Sequence, residues 1–144
     1  MTGIVIREPA AGDEADIAAL MTELGYPSTA SEIPARLAAL SDGSSSVWVA
    51  ELEGRVVGVA SGRLFAAINQ NAPVAWLTAL VVAERVRGRG VGTKLVGVAE
   101  EWARTAGASR VALTSALHRT EAHEFYHRLG YSHTGVRLAK SLIG

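Results

Sequence analysis

The stretch Val74-Ala75-Trp76-Leu77-Thr78-Ala79-Leu80-Val81-Val82, continued by Ala83-Glu84-Arg85-Val86 and Arg87-Gly88-Arg89-Gly90-Val91-Gly92-Thr93, decides the reading of this chain. Its first nine residues are a nearly unbroken apolar run, the pattern of a central strand buried on both faces. Beyond the glycines, Val91, Leu95, Val98, Ala99, Trp102 and Ala106 fall on one face of a helix. A buried strand therefore hands over to a helix through a glycine-rich turn. The first N–H groups of a helix lack internal partners and carry partial positive charge, so they bind anions. Glycine permits the tight turn and leaves the backbone open to a ligand. Arg85, Arg87 and Arg89 add full charges, and the combination points to a phosphate or pyrophosphate. Two familiar phosphate loops do not fit: Gly92-Thr93-Lys94 is not the Gly-Lys-Ser/Thr of a P-loop, and no G-x-G-x-x-G spacing is present.

Working outward, Arg110 to Leu113 reads as a strand, so Val74 to Leu113 forms a right-handed βαβ crossover with parallel strands. Upstream, Ile4-Val5-Ile6 is a short strand. Ile17, Leu20, Met21 and Leu24 mark one helix, with Asp13 expected as its N-cap and Gly25 as its stop. Thr29 and Glu32 resemble a capping box for a second helix striped by Ile33, Leu37 and Leu40. Val47 to Ala50 and Arg55 to Phe65 pair through the Glu53-Gly54 turn. Thr120 to Leu129 is a last helix stopped by Gly130, and a strand pair or one bent strand is expected from Tyr131 onward. The expected fold is mixed α/β (α+β), one domain over 1–144, with a central sheet of six to seven strands and about four helices on both faces.

Composition bounds the function. A chain of 144 residues with 49% apolar residues can support a core without staples. The absence of cysteine excludes disulfides and thiolate catalysis, and makes a cytoplasmic setting the simplest expectation. Fourteen basic residues balance fourteen acidic ones, which argues against nucleic acid or an anionic membrane as bulk-electrostatic partner. No apolar run reaches the length of a membrane span, and the N-terminus lacks a signal-peptide pattern.

The pattern Arg-x-x-Gly-x-Gly, here Arg87, Gly90 and Gly92, resembles the central acetyl-CoA motif of the GCN5-related N-acetyltransferase (GNAT) superfamily. A second stretch, Ala122-His123-Glu124-Phe125-Tyr126-His127-Arg128-Leu129-Gly130-Tyr131, is similar to that family's last helix and following strand. Element order matches over nearly the whole chain. The resemblance implies a GNAT-like acyl-CoA N-acyltransferase fold. It further implies an N-acetyltransferase that moves the acetyl group of acetyl-CoA to a primary amine of a small molecule or peptide within a ternary complex, without a metal. The cofactor pyrophosphate would lie on Arg87, Gly88, Arg89, Gly90, Val91, Gly92 and Thr93. The pantetheine arm would pair with Leu80, Val81 and Val82 as a false strand, and one N–H there would polarise the thioester carbonyl. Tyr126 falls on the position that commonly serves as general acid, and a phenol of unperturbed pKa about 10 carries a proton to donate at neutral pH.

Other positions depart from the family pattern. Relatives often place a carboxylate at the position of Thr78, and this strand has none, so the base is left to water, Glu84, Glu121 or the substrate. Arg119 stands where relatives often have an asparagine that touches the pantetheine arm. Tyr26, Trp76 and Thr78 are candidates for the acceptor pocket, with ordinary packing as the competing reading for the two aromatics. The acceptor itself is not legible, and homodimerisation is left open.

Two rival readings remain. A non-catalytic domain that binds acyl-CoA as a sensor would show the same fold. The run from His123 to His133 also satisfies H-E-x-x-H-x-x-G-x-x-H, the zinc signature of metzincin proteases. Context counts against zinc: the only methionines are Met1 and Met21, so no Met-turn follows, and eleven residues beyond His133 are too few for half a protease cleft.

Overall fold

The computed structural model describes residues 3–115 and 120–143. Two compact units emerge, Met1–Ala112 and Leu113–Gly144. The first carries strand β1 (Val5–Arg7), helix α1 (Glu14–Leu24), helix α2 (Ile33–Ala39), strands β2 (Ser45–Leu52), β3 (Arg55–Phe65) and β4 (Val74–Val82), and helix α3 (Val91–Thr105). Strand β5 (Val111–Leu113) spans the boundary, and helix α4 (Thr120–Arg128) belongs to the second unit. The sheet order is β1-β2-β3-β4-β5. The first three pairings are antiparallel. At β5 the partner numbers rise together, with Ser109 N bonded to Pro73 O and Ala75 N to Arg110 O. That is the parallel sense the crossover required.

The face of β3 toward α3 is built of small residues. A Cβ on Gly58 would lie 2.9 Å from Leu95 Cδ1, and one on Gly62 would lie 2.7 Å from the Trp102 ring. Ala60, between them, is 0% exposed. The helix therefore lies close against the strand, with Val91, Leu95, Val96, Ala99 and Ala103 buried. Trp102 meets Trp48 edge to face at 5.4 Å, closing this layer. The opposite face of β3 carries the buried Val57 and Val59. There α1 packs, burying Ile17, Ala18 and Leu20.

Five strands are seen among the described residues, not six to seven. The difference falls in the tail, where residues 131–143 form no strand. Val136 and Leu138 are 87% and 90% exposed, so their alternation has no surface to pack against. Asp13 stands at the N-cap of α1 as expected, its carbonyl accepting the first helical bond from Ile17 N at 3.0 Å, but its side chain makes no cap bond. The carboxylate instead takes Arg7 Nη1 and Nη2 at 2.8 and 3.0 Å and Ala10 N at 2.7 Å. A two-pronged charged donor outcompetes a single backbone N–H. Gly25 ends α1 as expected, in the left-handed conformation. Glu32 takes the backbone N–H of Thr29 at 2.8 Å, the reciprocal half of a capping box. No described helix is long and apolar enough to cross a membrane.

Two stability predictions follow from these contacts. Gly62→Ala pushes into the Trp102 ring and should cost about 1–3 kcal/mol in urea unfolding. Gly97→Ala, in mid-helix with nothing within 4 Å of its added Cβ, should stabilise by about 0.5–1 kcal/mol. Separately, the Arg7 guanidinium holds the Asp13 carboxyl below the usual carboxylate range, against the opposing effect of burial. A depressed folded pKa stabilises fully above the unfolded value, near 4, and that contribution is lost as pH falls through the folded value. Asp13→Asn should therefore be clearly less stable than the parent at pH 7, with the gap shrinking in acid unfolding experiments below about pH 4.

Candidate active site

The turn from β4 to α3 is set by one buried anchor at each side. Ala83 and Val86 are 1% and 6% exposed, and Val91 is 1% exposed. Between them the chain passes through a single 3-10 turn at Glu84–Val86 and then rises to the surface. Gly88 and Gly90 have φ of +83° and +84°. A Cβ at either would meet nothing within 4 Å, so the backbone conformation alone, not crowding, favours glycine here. Gly90 is the N-cap of α3 and brings no side chain to it. The first helical bond runs from Lys94 N to Gly90 O at 3.1 Å. The N–H groups of Val91, Gly92 and Thr93 precede that bond and have no helical acceptor. A fifteen-residue helix thus presents its positive end at an exposed glycine turn.

The arginines are not equivalent. Arg85 adds its charge to the field that lowers the Asp16 carboxyl, whose first cause is the hydrogen bond from Arg55. Arg87 turns back along the strand, donating from Nε to Val82 O at 3.2 Å. Its Nη2 stands 4.0 Å from Glu23 Oε1. The same Glu23 oxygen accepts the backbone N–H of Glu84 at 3.1 Å. Glu23 therefore ties the end of α1 to the turn, a role no sequence pattern announces because it links residues 61 apart. Arg89 and Lys94 are exposed. Loop and strand end are brought together: Arg87 and Val82 share a hydrogen bond, and Leu80, Val81 and Val82 lie directly before the turn.

Strand β4 has nine residues and β5 three, with their contact at the start of β4. Among the described residues, the β5-side edge of β4 is consequently open toward Leu80 and Val82. Within β4, Ser61 pairs Ala79 and Gly62 pairs Leu77, so Thr78 is the extra residue of a β-bulge. Its exposed hydroxyl lies 2.6 Å from Ser61 Oγ. Trp76 is half-buried and meets Phe65 edge to face at 6.5 Å. Tyr26 is 67% exposed at the end of α1. Ser61 was not singled out from sequence, since only the strand register places it beside Thr78. Glu84, considered as base, is exposed and its backbone is tied to Glu23.

In the second unit, Tyr126 lies on α4 and is half-buried. Its ring meets Phe125 at 5.2 Å and Tyr131 at 5.8 Å. Gly130 ends the helix with φ +94°, with Tyr131 N bonded to Tyr126 O at 3.0 Å. Glu121 is exposed on the first turn. Arg119 lies outside the described residues. The histidines of the rival zinc signature approach one another, the His133 ring lying 6.2 Å from those of His123 and His127. Among the described residues, no three His, Cys, Asp or Glu side chains form a group that could hold a metal ion.

Comparison with known proteins places this geometry in context. The Acetyltransferase (GNAT) family matches residues 15–131. The chain is 36% identical over 89 residues to the aminoalkylphosphonate N-acetyltransferase of Salmonella typhimurium, covering 62% of this chain and 58% of the relative. It is 34% identical over 92 residues to the N-acetylaspartate synthetase of Xenopus tropicalis, covering 64% of this chain and 32% of that protein. These matches thus span between about a third and three fifths of the relatives' own lengths. In fold, the glucosamine-6-phosphate N-acetyltransferase of Arabidopsis thaliana superposes with a TM-score of 0.83 at 21% identity, covering 98% of this chain and 99% of that one. An aminoglycoside N-acetyltransferase solved in complex with CoA superposes with a TM-score of 0.85 at 19% identity, covering 99% and 97%.

Proposed function

The chain belongs to the GNAT acetyltransferase family, and on that premise we propose that it transfers the acetyl group of acetyl-CoA to the primary amine of a small molecule or peptide, by direct attack in a ternary complex. The observation that carries this reading is the bare N-terminus of α3, exposed through two left-handed glycines at the end of a strand whose β5-side edge is, among the described residues, open in its last part. A diphosphate suits the N–H groups of Val91, Gly92 and Thr93, with Arg87 and Arg89 supplying charge-assisted bonds. An amide-bearing arm suits the free edge at Leu80 to Val82. An N–H of that edge would strengthen its bond to the thioester oxygen as negative charge develops there.

The amine attacks the thioester carbonyl carbon, the C–S bond breaks, and the sulfur leaves as thiolate. Tyr126 delivers the proton to that sulfur, a role that comes from its place in the Ala122 to Tyr131 motif. Thr78 and Ser61 offer hydroxyl oxygens that can accept a hydrogen bond from the amine and orient it. A hydroxyl is too weak a base to strip an ammonium ion, so the amine enters neutral and water carries its proton away. The relatives' names support an acceptor that joins an amine to an anionic group, such as an aminoalkylphosphonate or aspartate. A cytoplasmic location suits a chain that has no cysteine and draws on acetyl-CoA.

Three outcomes are expected. Replacing Arg87 and Arg89 together by Gln should weaken coenzyme A binding about 10- to 100-fold in calorimetry, with thermal stability kept. Tyr126→Phe should retain acetyl-CoA affinity and lose about 100-fold in kcat. An equal rate would remove Tyr126 from the acid role, and full binding with no turnover of any amine by the parent protein would favour the sensor reading. In the parent protein kcat/KM should climb with pH toward the acceptor's own amine pKa, without a plateau set by an enzyme carboxylate.

A further inference from the structure

We propose that Arg63 is the specificity-determining residue of the acceptor site, binding a phosphonate or carboxylate group that lies a short distance from the reacting amine. This rests on the acetyl-transfer reading above and narrows its substrate class. Register places the side chain. Gly58 and Gly62 turn their bare faces to α3, so Ser61 and Arg63, which alternate with them, point to the other face of the sheet. Arg63 is directly opposite Trp76 on β4, and cross-strand partners share a face. Thr78, two residues beyond Trp76, bonds to Ser61 on that face. The hydroxyl pair and the guanidinium therefore stand on one surface, with strand positions about 7 Å apart.

The guanidinium is held but not consumed. Its Nη1 lies 3.3 Å from Asp42 Oδ2 and 3.4 Å from Ser45 Oγ, both long contacts. The Arg63 and Asp42 side chains are 41% and 44% exposed. An exposed pair of this kind contributes little to stability and exchanges partners readily. The Arg63 carbon Cζ sits 5.4 Å from the centre of the Phe65 ring, and that ring meets Trp76. The aromatic pair fixes the direction of the cation and walls one side of the surface. Five N–H donors in a planar fork match a carboxylate or phosphonate in two-pronged fashion. With the amine at Thr78 and the anion at Arg63, strand positions roughly 7 Å apart suit an acceptor whose amine and anionic group are joined by a short carbon chain. Longer polyamines and neutral amines leave the guanidinium unused.

Steady-state kinetics with 2-aminoethylphosphonate and with ethanolamine, following thiol release, test this. Arg63→Gln should raise the KM for the phosphonate at least 10-fold while leaving the KM for ethanolamine and for acetyl-CoA within twofold. Arg63→Lys should recover part of the loss. Asp42→Asn, which frees the guanidinium, should leave the phosphonate KM unchanged or lower it. Equal KM values for parent and Arg63→Gln overturn the proposal, as does a rise in Asp42→Asn matching that of Arg63→Gln, which would make the pair a structural buttress. Should neither amine be acetylated, the transfer reading fails separately, and calorimetric titration with ethylphosphonate decides the anion site. Binding that disappears in Arg63→Gln supports it, and absent or equal binding overturns it.

Discussion

Helix α3 lies against a strand from which side chains have been removed. Gly58 and Gly62 leave room for Leu95 and Trp102 to approach to distances that a Cβ would crowd, and the buried Ala60 between them adds only a methyl. Close approach does more than bury apolar surface. It fixes the height and direction of α3 relative to β4, and hence where the unpaired N–H groups of Val91, Gly92 and Thr93 emerge. The turn between them is anchored by Ala83, Val86 and Val91 and is otherwise exposed. Where the start of α3 emerges beside the end of β4 is thus a consequence of one packing decision, made at β3, whereas the open edge of β4 among the described residues follows from the shortness of β5.

The chemistry proposed for the site follows from what each part lacks. The helix terminus lacks acceptors for its first N–H groups, so it suits a diphosphate. Among the described residues, the far half of β4 lacks a strand partner on one edge, so it suits an extended arm with amides of its own. The bulge at Thr78 lacks a carboxylate, so proton removal from the acceptor is left to solvent. Arg87 complicates the ground state, since it already donates to Val82 O and approaches Glu23. Ligand binding at the turn would draw Arg87 away from the strand edge and release Val82 O at the same time.

Much of this was legible in the sequence because it is local. The apolar run of β4, the glycine turn and the striped face of α3 span 32 consecutive residues from Val74 to Thr105, and each feature has its own period or its own backbone demand. Gly25 as a helix stop and the Thr29–Glu32 box were readable for the same reason. What was not legible depended on partners far along the chain. Asp13 holds its expected N-cap position, yet its carboxylate serves Arg7 rather than the helix. Glu23, Ser61 and Arg63 gained their places from register and packing that no local pattern encodes. The tail from Tyr131 has a strand-like alternation, yet alternation specifies a strand only when a surface is there to receive it.

Amide hydrogen exchange with and without coenzyme A tests the central claim most directly. The account predicts that saturating coenzyme A slows exchange at Val91, Gly92 and Thr93 and along Leu80 to Val82, with little change on α1. Unchanged exchange at the start of α3, or protection concentrated elsewhere in the chain, would contradict it.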